Sequence, residues 1–299
     1  MPTQNEIRTR ITNRIVESLK QGRIAWRKAW TPVKDLVRTP TNFVTKRPYN
    51  GMNVLLLQMA AMERGYPISY WASFNQWKSL GAHVRKGEKA ETIVFWKPVK
   101  RTVTGKDGQE REEAFPILKT WSVFNIAQVE GEAVEPFKVS DTLNLPKFGD
   151  IDRTEFDRAV AATQADIRYG FNEAAYVRPP GDYIVMPHEH QFESFPAFAE
   201  VLLHEISHHS EWRVGWTGSY AEGELRAEIA ACFMATELGI PNSDDLTNHF
   251  AYIQAWLQAL ENDPAFIFRA ASAASKAADF ILEPVRKVEA IEEDAVEAA

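Results

Sequence analysis

At 299 residues, with 45% apolar and 25% charged side chains, the chain has room for two globular domains of ordinary size. Its apolar runs fall well short of the roughly 18–20 residues a membrane span needs, residues 1–12 are polar and mixed in charge, and the one cysteine, Cys232, excludes an intramolecular disulfide; the expected location is the cytoplasm, with no membrane partner. The net charge of −7 conceals an asymmetry: residues 1–130 hold 22 Lys+Arg against 11 Asp+Glu, and residues 131–299 hold 12 against 30. The basic half suits a polyanion such as nucleic acid, which the acidic half should repel.

Residues 6–21 carry Ile7, Ile11, Ile15, Val16 and Leu19 at helical spacing, with Gly22 as the stop. Residues 22–40 hold Trp26, Trp30 and two prolines and read as an extended arm. After a turn at residues 47–51, residues 52–64 predict a buried helix, and residues 73–80 a short one capped by Ser73. Residues 91–99 and 118–125 are β-rich; the turn signal at residues 105–108 makes them a long hairpin. The Pro-, Gly- and acid-rich stretch 131–150 is the expected linker. Beyond it come a helix at 154–164 with Thr154 as its cap, a meander of strands at 167–169, 175–177 and 182–186, and helices at 194–209, 220–238, 251–261 and 264–281. The acidic, Ala-rich stretch 283–299 is expected to be disordered. The fold class is therefore α+β, with a basic domain over 1–130 and a second domain over 151–282.

The chemistry concentrates in His204-Glu205-Ile206-Ser207-His208. Two histidines four apart share a helix face, so both imidazoles reach one metal ion at about 2 Å. Zinc is the expected ion, with other divalent metals possible; it acidifies a bound water, and Glu205 takes the proton as general base. A third ligand is required. Glu228, 20 residues after His208 and followed by an apolar helix face, is favoured; Glu224, one turn earlier, is the alternative or supports a ligand histidine. His209 points to another face and reads as a surface residue. Cys232 reads as core. His188 and His190 read as loop residues or as part of a substrate cleft, and Tyr220 and His249 are candidates for stabilising an oxyanion.

Binding a polyanion without base specificity requires cations along a groove and aromatic faces for stacking. Six of the nine tryptophans lie in the first 130 residues. The candidates are Arg23, Trp26, Arg27, Lys28 and Trp30 in the basic arm, Lys46, Arg47, Tyr49 and Asn50 at the turn, and Arg85, Lys86 and Lys89 in a glycine-flanked loop. Trp71, Trp77 and Trp121 are expected in the core.

The stretches RPYNGMNVLLL (47–57), WASFNQW (71–77) and GAHVRKGE (81–88), with Phe95-Trp96 and Val123-Phe124-Asn125, resemble the N-terminal single-stranded-DNA-binding domain of ArdC-type antirestriction proteins, a domain type also found in TraC-type plasmid primases. The HEISH run and Glu224-Leu225-Arg226-Ala227-Glu228 are similar to the zincin-like domain that follows it in that family. The resemblance extends to about residue 280. It implies a plasmid protein that binds single-stranded DNA and protects incoming DNA from restriction; what its zincin domain cleaves does not follow from the resemblance, and the first reading is a peptidase acting on a protein partner near DNA such as a restriction enzyme. The alternative is a non-enzymatic protein that coats or decoys DNA, its metal site structural or vestigial.

Overall fold

The computed structural model describes residues 2–22, 24, 39–104, 109–137, 153–171, 174–178, 182–241 and 247–297, with the side chains at 101, 104, 113, 247–251 and 288–297 left aside. Arg23, Trp26, Arg27, Lys28 and Trp30, most of the expected linker, and the His249 side chain therefore lie outside the described residues.

Helix α1 (Gln4–Lys20) starts in a capping box, in which the Thr3 hydroxyl accepts from the Glu6 N–H and the Glu6 carboxylate accepts from the Thr3 N–H. Its stripe Ile7, Ile11, Ile15, Val16 and Leu19 is buried, as the spacing predicts. Strand β1 (Thr41–Asn42) leads through the 47–51 turn to α2 (Met52–Arg64), which ends at Gly65 in the left-handed conformation, φ 65°. Leu55, Leu56, Leu57 and Met59 of α2 are almost wholly buried, each contributing about 1.5–3 kcal/mol of burial. Strand β2 (Tyr70–Ala72) is followed by α3 (Phe74–Ser79), where Ser73 and Gln76 form the expected cap. Strand β3 (His83–Val84) precedes the long hairpin β4 (Glu91–Thr104) and β5 (Glu110–Asn125), paired from Glu91↔Val123 to Thr104↔Glu110. The sheet order is β1-β2-β5-β4, antiparallel except for β1 with β2, and β3 pairs with β6 (Val129–Glu130). Trp71 and Trp77 are fully buried as expected, but Trp121 is 54% exposed. Alternation puts Trp121 on the same face as Phe95 and Phe115, which are also exposed, so a strand residue read as core faces solvent.

In the second half, α4 (Thr154–Ala162) has Arg153, not Thr154, at its N-cap. Strands β7 (Asp166–Gly170), β8 (Tyr176–Arg178) and β9 (Tyr183–Pro187) do not form the expected meander: β9 lies in the middle, parallel to β7 and antiparallel to β8. Residues Ile184 and Met186 of β9 are fully buried, and the centre of the sheet is where that burial is available. Helices α5 (Phe195–His209), α6 (Tyr220–Glu237), α7 (Thr247–Asn262) and α8 (Phe266–Glu297) follow. The backbone of α8 is helical through Glu297, where the composition predicts disorder.

The halves share one apolar cluster, which runs from Ile7, Ile15 and Leu55 through Leu203 and Ile229 to Ala274 and Ile281. Polar ties reinforce it: the Thr12 hydroxyl donates to the Pro264 carbonyl at 2.8 Å, and the Gly51 N–H to the Ser275 hydroxyl at 2.7 Å. No described helix is long and apolar enough to cross a membrane.

Candidate metal centre

Helix α5 begins cleanly because Ser194 caps the Ala197 N–H and Pro196 sits where a missing donor costs nothing. Its apolar face, Phe198, Leu202, Leu203 and Ile206, is buried and fixes the rotation of the helix. Against it packs α6, buried all round from Gly223 to Thr236. Three charged residues, Glu224, Arg226 and Glu228, lie inside that apolar run, each no more than 6% exposed. Charges are kept at such positions only where partners satisfy them.

The partners are the motif residues. His204 Nε2 and His208 Nε2 are 3.1 Å apart. Glu224 Oε2 lies 3.5 Å from His204 Nε2, and Glu224 Oε1 lies 3.6 Å from His208 Nε2. Tetrahedral bonds of about 2.0–2.1 Å require donors roughly 3.3 Å apart, so these three atoms already stand near the corners of such a site. Two imidazoles and a carboxylate suit zinc, manganese or another divalent ion of intermediate softness.

In this geometry Glu224, the alternative drawn from the sequence, stands nearer the converging nitrogens than the favoured Glu228. Glu228 Oε2 lies 3.7 Å from Nδ1 of His204, behind the ring, and not beside the two Nε2 atoms. One helical turn separates the two glutamates, and the packing of α6 on α5 sets Glu224 at the converging nitrogens. Cys232 is buried among apolar neighbours and stands outside this cluster.

Each histidine is thus backed by a carboxylate at Nδ1. For His208 it is Glu211, 2.8 Å away and three residues on. Glu211 in turn meets the Arg226 guanidinium at 3.3 Å, and that guanidinium donates to the Ser207 carbonyl at 2.7 Å. Glu211 and Arg226 escape the motif, although two signals point to them: the i, i+3 spacing from His208, and an arginine within a run of apolar helix. The Trp216 ring lies 5.2 Å from the Arg226 guanidinium and packs so close to Gly218 that a Cβ there would come within 2.5 Å of it. Replacing Arg226 with Ala should leave the Glu211 carboxylate with His208 as its remaining partner and the Ser207 carbonyl without its donor, lowering stability by about 1–3 kcal/mol, read by denaturant unfolding; Arg226→Met should cost less, because it refills the space.

Electrostatics follow from burial and these contacts. Burial alone would depress His204, but the hydrogen bonds to Glu224 and Glu228 and the nearby Glu205 outweigh it, and its pKa is pushed up to about 10. His208 is raised the same way by Glu211 and Glu224 against burial. Burial would raise Glu224, yet the two imidazoles hold it far below the ordinary carboxylate range. Glu205 moves the opposite way, since burial lifts it and the two imidazoles only partly offset that. The sign is then fixed. The His204 proton contributes stability in full below about pH 6.5, and that contribution is lost as pH rises towards about 10. A cation binding at Nε2 must displace it, so thermal melts of metal-free protein should fall across that window while apparent metal affinity rises with pH. Titration calorimetry in two buffers of different ionisation enthalpy should register proton release on binding.

Around the centre, the Tyr220 hydroxyl is raised by its hydrogen bonds, to Tyr252 at 3.4 Å and to Glu224, and stays protonated. His209 is not a surface residue: it is 3% exposed, with Nε2 3.1 Å from Asp182 Oδ1, tying α5 to the start of β9. His188 and His190 stack at 5.3 Å and, with Tyr169, Phe198 and Leu202, line a cavity of about 360 Å³ at the front of α5.

The candidate DNA residues do not gather at one point. Lys46, with a backbone φ of 55°, holds its ammonium over the rings of Phe43, Tyr70 and Phe137 at 4.0–5.2 Å. Arg47 and Asn50 are exposed, and the Tyr49 hydroxyl accepts from Asn42 at 3.3 Å. Arg85 pairs with Glu88 at 2.6 Å, beside exposed Lys86 and Lys89 in the β3–β4 connection. Part of the positive charge is used internally: Arg14 and Arg64 both bridge buried Glu91. Exposed aromatics missed by the sequence reading lie on the hairpin. The register places Phe95, Lys97, Phe115, Lys119 and Trp121 on one face, with Phe95 and Trp121 in contact at 5.9 Å.

Comparison with known proteins agrees with this architecture. Residues 5–124 match the N-terminal domain of anti-restriction factor ArdC, and residues 154–273 match a zincin-like metallopeptidase domain. The chain is 32% identical to an uncharacterised Sinorhizobium fredii protein, y4eC, over 93% of this chain and 92% of that one. It is equally identical to a DNA primase TraC of Escherichia coli over 91% of this chain, which corresponds to only 26% of that much longer protein. Two crystal structures of the antirestriction ArdC protein from the R388 plasmid, metal-free and Mn(II)-bound, superpose with TM-scores of 0.74 and 0.71 at 35% identity, covering 93% and 92% of this chain and 97% of that one. By sequence, fold and domain order, this chain belongs to the ArdC antirestriction family, an ArdC N-terminal domain followed by a zincin-like metallopeptidase domain.

Proposed function

We propose that the protein binds single-stranded DNA through its N-terminal domain and, bound there, hydrolyses a peptide bond of a nearby protein at a centre formed by His204, His208 and Glu224. Restriction enzymes are the class of partner this suits. The observation that carries the proposal is the convergence of two imidazole Nε2 atoms and one carboxylate at near-tetrahedral spacing, beside a buried Glu205 of raised pKa. That a relative is Mn(II)-bound supports a divalent ion in this protein, and the donor set suits manganese and zinc equally.

A divalent ion held by His204, His208 and Glu224 would supply polarisation of the carbonyl and acidification of water. Glu205, its pKa raised by burial, would take a proton from the attacking water and pass it to the leaving amine. Glu228 and Glu211 hold the two rings with Nε2 facing the site. Tyr220, kept protonated and hydrogen-bonded beside Glu224, donates to the oxygen on which charge develops.

DNA binding is supported by the hairpin face, where exposed Phe95, Phe115 and Trp121 share space with Lys97 and Lys119. Unstacked bases need such rings, and phosphates need such cations. The Arg47 and Arg85–Lys89 segments and the Arg23–Trp30 arm are proposed to extend the contact. The affinity of the full chain for a labelled oligothymidylate should fall steeply with salt, and Trp121→Ala should weaken it about tenfold. Binding that is flat in salt contradicts this reading.

A further inference from the structure

We infer that the cleft between the two halves is a second contact for the same strand, holding one nucleotide with its base on Trp96 and its phosphate between Arg8 and Lys276. The inference rests on the proposed single-stranded-DNA binding and adds to it a site to which the acidic second half contributes.

The cleft encloses about 620 Å³. Arg8 of α1, Asn50 of the turn and Trp96 of β4 form one side; Arg269 and Lys276 of α8 form the other. No Asp or Glu is among the residues that line it, whereas two other cavities of the molecule are lined by Glu237 and Asp279, and by Asp157 and Glu189. An acid-free cavity is notable in a molecule of net charge −7. The lining side chains carry one sign of charge and favour an anion, with Asp263 and Glu222 standing behind Arg269 and offsetting part of that field.

Individual groups agree. Trp96 is 47% exposed, with the Arg8 guanidinium 5.4 Å from its ring centre, so one face is supported and the other is open to a base. Arg8 is half-buried in the wall, and Asp263 is an acidic group within its electrostatic reach. Lys276 is exposed, and no carboxylate pairs with it among the described residues. Arg269 is already engaged by Glu222 and Asp263, so it shapes the wall more than it supplies charge. The first turn of α2 also opens here, adding the partial positive charge of a helix start.

Trp96 faces away from the Phe95–Trp121 surface because adjacent strand residues alternate. Strand β4 is the last of its sheet, so a flexible single strand can round that edge from the aromatic face into the cleft; a duplex is too stiff for that turn. The bound strand would then touch α8 as well as the hairpin.

The test uses the full chain and oligothymidylate binding measured across a salt series, with Trp96→Ala and Lys276→Gln, both exposed positions whose folding is checked by thermal melts. Expected are about tenfold weaker binding for Trp96→Ala and, for Lys276→Gln, weaker binding with a log–log salt slope smaller by about one. Lys287→Gln, at an exposed lysine farther along α8, should change neither by more than about twofold. If wild type binds in a salt-dependent manner and both cleft variants match it, the cleft site is overturned while DNA binding stands. If wild type does not bind at all, the underlying reading fails first. If thymidine monophosphate binds in a Lys276-dependent way while oligothymidylate binding is unchanged by Lys276→Gln, the cleft holds a free nucleotide and the strand assignment is overturned.

Discussion

Glu205→Gln should abolish turnover, lowering hydrolysis of a DNA-bound protein substrate by about 10²–10⁴, and with it protection against restriction. The substitution is nearly isosteric and removes a carboxylate that burial disfavours, its pKa already raised, so the melting temperature should stay level or rise. Metal content should stay at one ion per chain, because Glu205 is not among the converging donors. DNA binding should not change. This pattern separates the enzymatic reading from a protein that only coats or decoys DNA: full protection by Glu205→Gln with full metal occupancy would leave the metal centre a structural role.

Glu224→Ala and Glu228→Ala should differ in kind. Loss of Glu224 removes one of three donors, and metal affinity should fall by well over 100-fold. Loss of Glu228 removes only the group behind His204 Nδ1, for which about 10–100-fold is expected. Competition against a chelator of known affinity orders the two. If Glu228→Ala proves the more damaging, the sequence-based preference was right and the helix packing places the wrong carboxylate at the site. Both variants also leave His204 with one acidic neighbour fewer, so its proton should be released at lower pH than in wild type.

The helix bearing the motif was legible because local rules and the global fold agree there: a Ser194 cap, a proline in the first turn and an apolar face that buries. The same holds for α2, for the Ser73 cap and for the pairing of β4 with β5, whose connecting turn at residues 105–108 lies outside the described residues. The choice between Glu224 and Glu228 was not legible. Both occupy one face of α6, and which of them meets the imidazoles depends on how far α6 slides along α5, a tertiary quantity with no local signature. Strand order failed for a related reason, since alternation identifies β7, β8 and β9 but not which one takes the centre. Trp121 was misplaced because tryptophan burial is a tendency, and alternation does not say which face of the hairpin is covered. His209 was misplaced because Asp182, its partner, stands 27 positions earlier and reaches it only through the sheet.

Anomalous diffraction from crystals of this protein soaked in zinc or manganese tests the centre most directly. One peak is expected, about 2.0–2.2 Å from His204 Nε2, His208 Nε2 and a Glu224 carboxylate oxygen, with Glu228 turned to Nδ1 of His204. A peak ligated by Glu228 in place of Glu224, or no peak between the two imidazoles, contradicts the assignment.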